Sequence, residues 1–261
     1  MARIQDVVDI LTQLAPLELA EPWDNVGLLV GDPVLAAERV MTCLTVTADT
    51  VAEALERRAN LVVAHHPLPF RPLKSVTTAT VPGRLLLRLI GGSVAVYSAH
   101  TAFDSARAGI NQHWAIGLGL HEIRPLNPSN DPDEGGGRCG WTGEPLTLRE
   151  LAERAKTFLG VSHVQMVGEE SQAISRAAVA CGSGAAFLDR AAAEGCDALV
   201  TGEASLHACL EAEARGVGLV LVGHFASERF AMLAMADYLT DQLPGVEVWA
   251  SRRERDPLQT V

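Results

Sequence analysis

Four apolar residues, Leu61-Val62-Val63-Ala64, run directly into two adjacent histidines and a proline, His65-His66-Pro67. An unbroken apolar run of this length reads as a strand buried on both faces. Pro67 has no amide hydrogen to continue a ladder, so the strand stops there. In open α/β sheets, chemistry gathers just beyond the carboxyl ends of strands. The pattern recurs far along the chain as Leu219-Val220-Leu221-Val222-Gly223-His224, followed by Glu228. These two strand ends read as the two sides of one metal site, with Asp104 between them in sequence.

The intervening segments fit the same plan. Ile4, Val7, Val8, Leu11 and Leu14 share one face, which predicts an amphipathic helix over 3–14. Residues 21–31 start as a turn and end as a short strand. Arg39 to Thr47 is β-branched and apolar, hence a strand. Asp49 is placed to cap the helix that follows, through about Arg58. Helices are expected over 83–90 and 108–118, and a strand over 93–98, after which His100-Thr101-Ala102-Phe103-Asp104 brings polar residues past a third strand end.

The stretch 127–137, Asn-Pro-Ser-Asn-Asp-Pro-Asp-Glu-Gly-Gly-Gly, is the clearest loop signal in the chain. It reads as the boundary between two lobes, 1–126 and 138–261, or as a mobile surface loop. In the second half, strands are expected at 174–181, 198–201, 217–222 and 246–249, and helices at 147–159, 185–194, 204–215 and 227–239. Each half thus runs strand, helix, strand, with Asp49 and Ser183 as matching helix caps. The expected fold is α/β, two similar lobes with a dinuclear metal site.

Composition narrows the function. The formal net charge of −11 works against an extended nucleic-acid surface. No apolar run reaches the roughly 20 residues needed to cross a membrane, and the start lacks a secretory signal pattern, so a cytoplasmic protein is expected. The five cysteines, Cys43, Cys139, Cys181, Cys196 and Cys209, form no C-x-x-C pair. They read as buried free thiols rather than as disulfides or a zinc-thiolate site.

Imidazoles and carboxylates without thiolates suit zinc, iron, manganese, nickel or cobalt. Two neighbouring imidazoles past a strand end can serve two ions. His224 and Glu228 stand four apart, so one helical turn brings them to one side. Gly182-Ser183-Gly184 lies between a strand and a helix, but lacks a full dinucleotide fingerprint and a P-loop lysine; it reads as close packing. No G-x-S-x-G elbow supports a serine hydrolase. Thr201-Gly202-Glu203 and His207 also follow a strand end, where a supporting role and an exposed helix start are equally open. Arg71, Lys74 and Arg107 are the cations on offer to a triphosphate.

Five motifs occur together and in order: Trp23-Asp24-Asn25-Val26-Gly27-Leu28, His65-His66-Pro67, His100-Thr101-Ala102-Phe103-Asp104, Thr201-Gly202-Glu203 and Gly223-His224-Phe225-Ala226-Ser227-Glu228. In these the chain resembles the NIF3-like family, often labelled GTP cyclohydrolase 1 type 2 homologues, in its short bacterial form. The resemblance spans essentially all of residues 1–261. It implies a toroidal homohexamer with two divalent metal ions per chain. His66 and Asp104 would bind one ion, His65 and His224 the other, and Glu228 would bridge them. His100 would be a proton shuttle. The family often carries two histidines after Thr-Gly-Glu; here Leu206 precedes His207, so one remains. The implied function is a metal-dependent hydrolase acting on a nucleotide or related small molecule. The alternative is a non-catalytic metal-binding or regulatory assembly.

Overall fold

The computed structural model describes residues 2–259. The chain divides into two compact units. One takes in the chain up to Phe103 together with the return from Ala231 onward; the other is Asp104–Phe230. The division therefore falls inside the helix His224–Gln242 and past the strand Ala95–Ser98, not at 127–137. That stretch lies within the second unit, where Asn127–Pro128 pairs with Gly135–Gly136 as a short hairpin. Gly135 has a φ of 138°, and a Cβ there would meet the Asn127 carbonyl oxygen at 2.0 Å. Fully buried Arg138 anchors the hairpin through the Gly135 and Gly137 carbonyls, at 2.6 and 2.8 Å. Burial lowers its guanidinium to about 10.

Among the described residues, the first unit carries a five-stranded sheet in the order Gly27–Val30, Ala95–Ser98, Leu61–Ala64, Arg39–Cys43, Glu247–Ala250. All neighbours are parallel except the first pair. Leu61–Ala64 and Ala95–Ser98 are buried along their whole length, as expected of central parallel strands. The helices Ala48–Glu56 and Val81–Gly91 cover the sheet through Val51, Ala54, Leu85, Leu86 and Leu89. Thr47, not Asp49, caps the first of these, accepting from the Thr50 amide at 3.2 Å; Asp49 sits in the first turn.

Register decides where the chemistry lies. Cys43 is paired with Ala64, and Ala64 with Ser98. Three parallel strands therefore end level, and the residues that follow leave at one edge: Leu44-Thr45, His65-His66 and Ala99-His100.

The second unit repeats the arrangement. Its six-stranded sheet runs His121–Arg124, Arg138–Thr147, Ala173–Ala180, Ala198–Thr201, Gly218–Leu221, Gln165–Val167 among the described residues. Ala180, Thr201 and Leu221 are in register on three parallel strands, so Cys181, Gly202 and Val222 leave at one edge. The strands His121–Arg124, Arg138–Thr147 and Gln165–Val167 are antiparallel additions that periodicity does not predict. The expected last strand belongs to the first unit, where Glu247–Ala250 pairs with Arg39–Thr42. No helix among the described residues is long and apolar enough to cross a membrane.

Candidate metal centre

In the first unit, His65, His66 and His100 gather at the level strand ends. One ring nitrogen from each lies within 4.8 Å of the others. Ring centroids are 5.2 Å apart for His65 and His66, 5.1 Å for His65 and His100, and 5.7 Å for His66 and His100. His65 is buried, and its carbonyl accepts from the Ser98 hydroxyl at 2.5 Å. His66 Nδ1 is 2.7 Å from the Thr45 hydroxyl.

His100 opens a short helix with a φ of 32°, in the left-handed region. Such backbone is strained for a residue with a Cβ and recurs at functional positions. Its Nδ1 lies 2.8 and 2.9 Å from the two oxygens of Asp24, whose side chain is fully shielded. Burial pushes that carboxyl upward, but the hydrogen bonds from His100 and Thr101 outweigh it and hold Asp24 at about 2. An ionised carboxylate only accepts, so Nδ1 is the donor in this pair. Trp23 and Phe70, both exposed, stand with ring centroids 6.0 and 5.9 Å from His100.

In the second unit, His224 begins the helix His224–Gln242, and Glu228 lies one turn on. His224 Nε2 is 3.2 Å from Glu228, and Nδ1 is 2.9 Å from Glu203. The hydrogen bond to Glu228, then that to Glu203, overcomes burial and holds His224 up to about 9. Glu203 is itself lowered by hydrogen bonds from the Ser183 hydroxyl and His224. Ser183 is thus spent on Glu203, at 2.5 Å, and caps no helix. Glu228 is 3% exposed. Gly182, with a φ of 60°, lies so near that a Cβ would meet Glu228 Oε1 at 2.3 Å. Asp104 accepts the Cys181 thiol at 3.2 Å. The Gly182-Ser183-Gly184 turn is packing, as read: a Cβ on Gly184 would meet Ala180 at 2.5 Å.

A metal-binding imidazole typically gives its second nitrogen to a carboxylate, a carbonyl or water, which fixes ring and tautomer. Glu203 does this for His224, and the Thr45 hydroxyl stands in the equivalent place on His66. His/Glu groups that can hold a divalent ion are therefore present. His207 is exposed on the helix Leu206–Arg215. Sequence reasoning assigned no role to Asp24, Thr45 or Cys181. Asp24 had a signal, its place beside Trp23 in a matched motif; the other two are placed only by register.

The chain matches the family described as Duf34/NIF3 (NGG1p interacting factor 3) over residues 2–257. It is 34% identical over 243 residues to the Helicobacter pylori (strain J99) protein named GTP cyclohydrolase 1 type 2, covering 92% of each chain. It is 32% identical over 243 residues to a Clostridium acetobutylicum GTP cyclohydrolase 1 type 2 homolog, covering 92% of this chain and 91% of that one. The crystal structure of Staphylococcus aureus protein SA1388 superposes with a TM-score of 0.89 at 28% identity, over 100% of this chain and 99% of that one.

Proposed function

Because the chain belongs to the DUF34/NIF3 family, we propose that it is a dinuclear metal-binding protein and a metal-dependent hydrolase acting on a nucleotide or related small molecule. In this reading His66 and Asp104 hold one ion, His65 and His224 the other, and Glu228 bridges. The observation that carries it is the run Glu203, His224, Glu228, an imidazole oriented by one carboxylate and aimed at another that is buried. His224 and Glu228 would hold a cation there, and binding would release the proton from the imidazole, because a ligating histidine is neutral.

A bound pair of divalent ions supplies Lewis acidity and activation of water. The chain's own part is proton handling and orientation. His100 is the candidate proton shuttle, and the Asp24 carboxylate on Nδ1 fixes its ring and tautomer. Exposed Trp23 and Phe70 border that imidazole. The name of the Helicobacter relative makes GTP the first substrate to try.

The test is turnover of a nucleotide panel by metal-loaded protein beside a His65→Ala control. Release of product by wild-type protein, reduced at least about 100-fold in the variant, is expected for a lost metal ligand. Equal rates in both would reject the hydrolase. One observation favours the alternative of a non-catalytic or regulatory assembly: Arg107 is already held by Asp131 and Asp133, at 3.0 and 2.7 Å, and so is a poor partner for triphosphate. We also infer a homohexamer and, from five thiols that form no disulfide, a cytoplasmic setting. Light scattering at micromolar concentration should give six chains per particle; a monomer mass rejects the ring.

A further inference from the structure

Cys181 stands one residue beyond the strand Ala173–Ala180, where the level strand ends of the second unit place it against Asp104. Three hydrogen bonds fix the pair. The Cys181 amide donates to Asn111 Oδ1 at 2.8 Å, Asn111 Nδ2 donates to the Asp104 carbonyl at 3.1 Å, and the Cys181 thiol donates to Asp104 Oδ1 at 3.2 Å. Asn111 is 2% exposed, so this bracket is closed to competing water. Asp104 is thereby held at its carbonyl by one side chain and at its carboxylate by another.

We propose that Cys181 is a positioning residue of the metal centre. Its S–H bond to Asp104 Oδ1 fixes the orientation in which that carboxylate would meet a metal; the sulfur itself stays off the metal. This rests on the reading of Asp104 as a ligand. A carboxylate whose two oxygens are free can swing or bind through both. One held by a donor presents a fixed oxygen, and outer partners of this kind alter metal affinity by about 10–100-fold. Serine keeps a donor at the same place, whereas alanine removes it.

The experiment loads metal-free protein with cobalt(II) and follows binding by calorimetry and absorbance, for wild type, Cys181→Ala and Cys181→Ser. Wild type should show cobalt ligand-field bands without thiolate-to-cobalt charge transfer in the near ultraviolet. Cys181→Ala should bind one of its two ions about 10-fold more weakly, and Cys181→Ser should restore that affinity. A charge-transfer band in wild type overturns the proposal, because the sulfur is then a ligand. Wild-type affinity in Cys181→Ala overturns it and leaves the metal reading standing. A wild-type chain that binds no cobalt rejects both. Should Cys181→Ala fail to fold by circular dichroism, the wild-type spectrum and the serine variant still decide: weak binding by folded Cys181→Ser counts against the thiol as donor.

Discussion

If the proposed ligand set is right, purified Glu228→Gln is expected to hold both metals at least about 100-fold more weakly than wild type, while Asp104→Asn loses chiefly the one ion assigned to it with His66. Glu228 is buried at 3% exposure and stands 3.2 Å from His224 Nε2, with its other oxygen toward Gly182. Glutamine preserves the shape. It replaces one ligand oxygen with an NH2 group that cannot bind a cation, and it removes the charge that two cations favour. A terminal ligand affects one ion, whereas a bridging ligand affects both, so metal analysis of the two variants separates the roles. The metal-free protein offers a second check. Glu228 is the main cause of the raised His224 imidazole, so in Glu228→Gln it should fall from about 9 toward its ordinary value, read by NMR titration. Were Glu228 only a favourable charge near its helix start, worth about 0.3–1 kcal/mol, the variant would keep two metals. Retention of both ions sinks the bridge.

The strand-end histidines were legible because buried parallel strands leave a plain signature: an apolar run, then polar residues where the run stops. Leu61–Ala64 and Gly218–Leu221 obey it, and so does the doubled strand, helix, strand order. Pairwise chemistry across the sheet was not legible. Thr45 meets His66 because Cys43 and Ala64 are in register, and Cys181 is placed at the edge it shares with Gly202 by the register of Ala180 with Thr201. Neither register has a local sequence cue. Helix caps misled for a related reason. Thr47 and Asp49 are both good capping types, and the backbone at Thr47, extended at a φ of −115°, is what selects it. The join at 127–137 failed because a proline- and glycine-rich stretch marks a turn, and this turn is a hairpin tied by Arg138. The real division is set by the return of Glu247–Ala250 to the first sheet, a pairing more than two hundred residues apart.

That return predicts the second large effect. Glu53→Ala should destabilise the first unit by about 3–5 kcal/mol. Glu53 is 3% exposed on the helix Ala48–Glu56, and its carboxylate is the common acceptor for the segment that follows Glu247–Ala250. It takes hydrogen bonds from Trp249 Nε1 at 3.2 Å, the Ser251 hydroxyl at 2.7 Å, the Arg252 amide at 3.0 Å and the Arg253 amide at 3.1 Å. Alanine leaves these donors without their charged acceptor, and an unmet buried donor costs more than a net hydrogen bond. Burial raises the Glu53 carboxyl, but the Ser251, Arg252, Arg253 and Trp249 donors together bring it below its ordinary 4.5. The sign follows: a folded value below the unfolded one stabilises the protein above about pH 4.5, and that share is lost as pH falls through the folded value. Glu53→Gln should therefore flatten this part of the acid-unfolding profile. The same segment reaches the edge of the sheet where Leu44 and Thr45 leave. The Glu254 carboxylate accepts the Leu44 and Thr45 amides at 2.9 and 2.6 Å, and the Thr45 hydroxyl meets His66. Releasing Glu53 should thus loosen Thr45 and weaken metal binding at His66 as well as lowering stability. Urea unfolding followed by tryptophan fluorescence, with cobalt titration of the folded variant, measures both; a loss under about 1 kcal/mol, no more than a single ordinary hydrogen bond, would show that Glu53 does not hold the C-terminal segment in place.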